Sequence, residues 1–198
     1  MNNITISIKI VIFGIDNNKL IVLLKNDQLI KAGVTEDDDL DEIAKTIFTT
    51  ITSIPLKDNY IEQLYTVRGN KKEVSIVYYV LLSEKTKTLP QQFRWVDTHT
   101  IKKTLDDFSI IAYAIQRLRW KIEYTNVIYS LLPKTFTLTQ LQKAYETILG
   151  KSLDKRNFRK KILSLNFCEA TGQKHTETRP AQMYRFKKRK LVLVKVFS

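Results

Sequence analysis

The chain has 198 residues, 43% apolar and 27% charged, with 33 Lys and Arg against 20 Asp and Glu for a net charge of +13. That length holds one large domain or two small ones, and a content of 5 Gly and 4 Pro excludes a disordered or collagen-like chain. The longest apolar run, Ile76 to Leu82, falls far short of the roughly 20 residues that cross a bilayer. Met1-Asn2-Asn3 carries no basic segment leading to a cleavage site, and Cys168, the one cysteine, makes neither an internal disulfide nor a metal cluster. The expectation is a soluble, cytoplasmic, basic protein with no membrane segment, no cofactor and no metal.

Ile4 to Ile15 alternates loosely as a strand, and Asp16-Asn17-Asn18 turns it into a second, Leu20 to Leu24. A short segment, Leu29 to Val34, precedes the acidic run Glu36 to Asp39. Leu40, Ile43, Ala44, Ile47, Phe48 and Ile51 then recur at the spacing of one helical face. Asp39 with Glu42 forms a start signal, and Ser53 with Pro55 ends the helix. Strands are expected near Tyr60 to Val67, Val74 to Leu82 and Phe93 to Val96, then a helix from Phe108 to Ile122. In that helix Ile111, Ile115, Leu118 and Ile122 face inward, while Gln116, Arg117, Arg119 and Lys121 stay in water. The acidic run lacks the alternating oxygen ligands, central Gly and closing Glu of a calcium loop, and reads as a helix N-terminus complementing the dipole. His99 and His175 stand apart from any nucleophile.

This order and local text resemble a Nudix domain. The Nudix box reads G-x5-E-x7-R-E-U-x-E-E-x-G-U, with U apolar, on a loop and the helix after it. Superposing Leu29 to Val34 on the loop puts the first Gly on Ala32, the first Glu on Asp38 and the Arg on Thr46. The neighbouring Glu falls on Ile47, the two later ones on Thr50 and Ile51, and the last Gly on Ser53, while Phe48 and Ile54 keep the apolar positions. In an active member those carboxylates hold magnesium or manganese, hard cations that need oxygen ligands. Ile47 and Ile51 offer no oxygen and Thr50 only a hydroxyl, so the chain is not expected to hydrolyse diphosphates. A hydrolase with relocated metal ligands remains the alternative from the enzyme class.

The charge divides unevenly. Residues 1–124 carry 17 Lys and Arg against 16 Asp and Glu, and residues 125–198 carry 16 against 4. That asymmetry marks a polyanion-binding module joined to a neutral one. Thr125 to Leu132 fits a short helix ended by Pro133, and Phe136-Thr137-Leu138 a small strand. Thr139 is placed to cap a helix from Gln140 to Leu149, stopped by Gly150, and Asp154 to cap another from Lys155 to Leu165. Two strands, near Phe167 to Ala170 and Ala181 to Phe186, flank a polar loop from Thr171 to Pro180. Helix, strand, helix, helix, hairpin is the order of a winged helix-turn-helix. With Phe158, Ile162 and Leu165 inward, Arg156 and Lys160 point almost directly away, flanked by Asn157 and Arg159. Such side chains suit base edges in a major groove, whereas Lys155 and Lys161 suit phosphates. Lys174, His175, Arg179 and Arg185 on the hairpin suit a neighbouring minor groove or its backbone. A helix basic only for solubility, or a general coating of DNA or RNA, are the competing readings of the same charges.

Three stretches of the second half, Leu131 to Gln142, Leu153 to Leu163 and Arg179 to Phe186, are similar to the C-terminal domain of Nudix-related transcriptional regulators. The first half is similar to that family at Tyr60 to Tyr65, Val74 to Tyr79 and Arg117 to Ile122. The resemblance implies an α+β chain with an N-terminal Nudix-like α/β/α sandwich over residues 1–124 and a C-terminal winged helix-turn-helix domain over 125–198. It implies a homodimer that binds a palindromic operator in double-stranded DNA, with its grip altered by a small-molecule effector, ADP-ribose in one branch and a sugar such as arabinose in another. The family's Phe-Asp-His before the last Nudix helix reads Leu105-Asp106-Asp107, and the loop Arg68 to Lys72 is short. Lys31, Arg68, Lys72 and Tyr78 lie where Nudix clefts are lined.

Overall fold

A computed structural model describes residues 4–56, 59–69, 72–83, 89–174 and 180–196. In the first domain β1 (Thr5–Asp16), β2 (Lys19–Lys25), β3 (Ile30–Gly33), β4 (Tyr60–Arg68), β5 (Glu73–Leu82) and β6 (Phe93–Asp97) form one mixed sheet. Its order is β4-β5-β1-β2-β6, with β3 on the early half of β1, and β1 runs parallel to β5. A parallel pair needs a long crossover, and α1 (Leu40–Thr52) lies within it.

Alternation along β1 sends its side chains to two faces. Ile8, Ile10 and Ile12 join Tyr78, Val80 and Leu82 of β5 under Ala44 and Phe48 of α1. Val11 and Phe13 join Val77, Tyr79 and Leu81 under α2 (Phe108–Tyr124), whose Ile110, Ile111, Ala114, Leu118 and Ile122 are buried. The expected sandwich is thus present. Asp39 caps α1, its carboxylate accepting from the amides of Asp41 and Glu42, and Ser53 ends it in the left-handed region.

The second domain begins with the expected short helix, which is 3₁₀ and spans Val127–Leu131. Then follow β7 (Phe136–Thr137), α3 (Leu138–Leu149), α4 (Lys155–Ser164), β8 (Cys168–Lys174) and β9 (Ala181–Phe186), the strands pairing in the order β7-β9-β8. The cap of α3 is Thr137, not Thr139: its hydroxyl accepts from the Gln140 amide while the Gln140 side chain accepts from the Thr137 amide. A full capping box outweighs a lone hydroxyl two residues later. Gly150 ends α3 at φ 69°, a conformation that costs Gly no Cβ clash. Strand β8 runs on to Lys174, past the expected end at Ala170. Phe136, Tyr145, Phe158, Ile162, Phe167 and Phe186 close a core continuous with the α2 face of the first domain.

Lys121, expected in water, is buried. Its ammonium donates to Glu62 of β4 at 2.8 Å, and the Tyr79 hydroxyl donates to the other oxygen of the same carboxylate at 2.7 Å. Burial opposes the charge on Glu62, yet hydrogen bonds from Lys121, Tyr79 and Tyr60 hold its carboxyl below the usual range. A carboxylate with a depressed folded-state value stabilises fully above its unfolded range and loses that contribution as pH falls through the depressed value. Lys121→Met should cost ~2 kcal/mol by removing the nearer cation of Glu62 and its hydrogen bond, with Arg117 remaining 3.6 Å away. Urea unfolding followed from neutral pH into acid should also show a shallower loss of stability for the variant than for the parent.

Candidate nucleic-acid interface and cleft

Helix α4 is the basic element of the second domain. Asp154 caps it by accepting from the Asn157 amide at 2.7 Å, and Phe158 and Ile162 bury one stripe, Phe158 edge-on to Tyr145. The remaining surface is cationic: Lys155, Arg156, Asn157, Arg159 and Lys160 are exposed and Lys161 is half-buried. Among the described residues none of these cations forms an ion pair, so their charge is available to an outside anion. Leu163, expected only as part of the helix, is also exposed beside Arg159 and Lys160.

A small lock sets α4 against α3. The Glu146 carboxylate accepts from the Leu153 amide at 3.0 Å and from the Gln142 side chain at 3.1 Å, and Gln142 also donates to the Leu153 carbonyl. The Leu153 amide, with Lys143, holds the Glu146 carboxyl below the ordinary range. Periodicity does not single out these residues; their i, i+4 spacing was the available signal.

On the hairpin, one expected cation already has a partner. Arg185 is exposed but its guanidinium is 2.7 Å from the Glu169 carboxylate directly across the strands, so part of its charge is already answered. His175 and Arg179 lie outside the described residues, as does the side chain of Lys174. Cys168 at the start of β8 has its thiol pushed up to about 12 by burial, which keeps it from acting as a nucleophile.

In the first domain, a charged cavity of about 490 Å³ opens where β1, β3, β4 and β5 meet the start of α2. Lys31 reaches Glu73 at 2.5 Å, and Lys9 reaches the buried Asp107 at 2.6 Å. Asp107 also accepts from the Leu29 amide at 2.8 Å, so it ties the first turn of α2 to β1 and to the loop before β3. Arg68 lines the same cavity. The structure therefore brings together Lys31 and Arg68 of the four expected residues. Lys72 is exposed on the turn into β5 and does not line the cavity. Tyr78 stands on the opposite face of the sheet, where its hydroxyl donates to Asp41 of α1 at 2.6 Å. Lys9, Glu73 and Asp107, absent from the expected set, also line it.

The former box helix follows its altered letters. Ile47 and Ile51 pack half-buried against the α1-side core, and Thr46 and Thr50 are exposed. Among the described residues no three His, Cys, Asp or Glu side chains converge as a metal site, and no helix is long and apolar enough to cross a membrane.

Residues 128–186 match the family model of the NrtR DNA-binding winged helix domain. NrtR of Shewanella oneidensis superposes over 92% of this chain and 94% of its own, with a TM-score of 0.78 at 25% identity. The chain has the fold of NrtR, a Nudix-like domain followed by a winged helix. The same Shewanella protein complexed with a 27mer DNA aligns over 92% and 93% of the two chains with a TM-score of 0.78 at 24% identity. The ADPR responsive transcriptional repressor NtrR of Acinetobacter baylyi is 34% identical over 142 residues, 64% of this chain. The match takes in 56% of that repressor, so this NrtR-like chain is aligned to little more than half of its length.

Glu146→Ala should cost about 1 kcal/mol by orphaning the Leu153 amide, and should speed hydrogen exchange at that amide. Glu146→Gln retains an oxygen acceptor and should lose less on both measures.

Proposed function

We propose that this chain is a DNA-binding transcriptional regulator whose Nudix domain senses a small metabolite without cleaving it. The observation that carries the reading is the row of exposed cations on α4, without acidic partners among the described residues, on a winged helix of the NrtR type. Arg156, Asn157, Arg159 and Lys160 face base edges of double-stranded DNA, and Lys155 and Lys161 meet phosphates. The protein acts as a homodimer on an inverted repeat with half-sites about one helical turn apart. Its effector is ADP-ribose or a related sugar metabolite, bound in the cavity lined by Lys31, Arg68, Lys9 and Asp107. Support for ADP-ribose comes from the Acinetobacter relative, an ADPR responsive repressor by name. Support for the absence of cleavage comes from α1, on the opposite face of the sheet from that cavity, where Ile47, Thr50 and Ile51 give a hard cation no carboxylate.

Gel shifts with duplex from upstream of the chain's own gene test the assignment. Lys155→Gln should lower the slope of log affinity against log salt by about 0.9. Arg156→Ala should cost about 1–3 kcal/mol at the preferred base and flatten the preference at one position of each half-site. A loss equal for all duplexes would contradict base reading by Arg156. Incubation with ADP-ribose and magnesium should leave the nucleotide intact, and turnover abolished by a chelator would restore the hydrolase reading.

A further inference from the structure

We propose that residues 187–196 form an intramolecular clasp that locks the winged helix to the last turn of α2, holding α4 in one orientation relative to the Nudix-like domain. The first domain ends at Tyr124 with α2, and the next chain segment, Thr125-Asn126, is the covalent link. Beyond Phe186, where the match to the family model ends, the chain turns back and makes a second crossing of the same junction.

The crossing is hydrogen-bonded along its length. The Lys187 amide donates to the Phe167 carbonyl at 2.9 Å. The Arg189 guanidinium then donates to the carbonyls of Tyr129 at 2.7 Å and Leu132 at 3.1 Å, above the Tyr129 ring. These carbonyls belong to the 3₁₀ helix and the residue after it. Asn126 is held from both sides: its side-chain amide donates to the Lys190 carbonyl and its side-chain oxygen accepts from the Val192 amide at 2.7 Å. Leu193 pairs with Thr125 in an antiparallel bridge. Finally the amides of Val194 and Val196 donate to the carbonyls of Tyr124 and Glu123, each at 2.9 Å. Those are last-turn carbonyls of α2, which the helix itself cannot satisfy. Val196 is 1% exposed and belongs to the core shared by both domains.

Apart from Arg189, and from Lys187, whose ammonium donates to the Asn166 side chain at 2.5 Å, the charges of the segment play no part in this hold. Lys188, Lys190 and Lys195 are exposed. A clasp and a loose DNA-binding arm can therefore be told apart by experiment.

Val194→Pro with Val196→Pro removes the two amide donors to α2 and leaves the net charge unchanged. In the full-length chain this pair should speed hydrogen exchange of the Thr125 and Asn126 amides at least tenfold and split one thermal transition into two. Parental exchange at both amides together with a single transition would overturn the proposal. The triple change Lys188→Gln, Lys190→Gln, Lys195→Gln should leave exchange and melting as in the parent; loosening of the junction by that change would also overturn it. Should the double-proline chain fail to fold, Arg189→Gln should speed exchange across residues 125–132, and unaltered exchange there would count against the clasp.

Discussion

The apolar core on the α2 face of the sheet continues into the winged helix without a break, and the arrangement of the molecule depends on that continuity. Val11, Phe13 and Tyr79 of the first domain, Leu118 and Ile122 of α2, and Tyr145, Ile162 and Phe186 of the second belong to one buried cluster. Parting the domains would expose apolar surface at a cost of about 25 cal/mol per Å². Polar contacts then select one way of packing that surface. Arg119 of α2 donates to the Ile148 carbonyl near the end of α3 at 2.8 Å, and Thr147 donates to the Asn18 carbonyl in the first hairpin at 3.1 Å. Apolar area supplies the adhesion, and these directional bonds supply the register.

Helix α2 has a different duty at each end. At its start Asp107 is tied to Lys9 and Leu29 in the charged cavity, and near its end Lys121 is tied to Glu62. Seventeen residues at about 1.5 Å each make a rod of roughly 25 Å. A ligand that competes for Lys9 or Asp107 therefore acts on an element whose far end carries α3 and α4. The helix α1 packs on the other face, where Ile47 and Ile51 add apolar contact around Phe48 and offer a hard cation no oxygen.

Much of this architecture was legible from periodicity. The apolar strands β1 and β5, buried on both faces because a helix covers each side of the sheet, and the helical stripes of α1, α2 and α4 lie where their patterns put them. What escaped was decided by partners distant in sequence. Lys121 reads as a solvated lysine until Glu62, 59 residues earlier, comes beside it. Tyr78 and Lys31 read as one cleft until strand register puts them on opposite faces, since Ile10 lies between Tyr78 and Ile30 while Lys9 faces Lys31. Arg185 reads as a free cation until the hairpin sets Glu169 across from it. In the tail, the basic run Lys187 to Lys190 masks the alternation of Leu191 to Val196, which is the sign of pairing.

In the proposed regulator, a cleft that recognises without cleaving is joined to a helix that reads DNA. Calorimetric titration of ADP-ribose into the intact chain in the presence of a chelator, with and without saturating operator duplex, tests both halves at once. The account requires binding without divalent metal, and an affinity that changes when DNA is bound by the same factor as ADP-ribose changes operator affinity. Binding that needs magnesium, or an ADP-ribose affinity identical with and without operator, would contradict it.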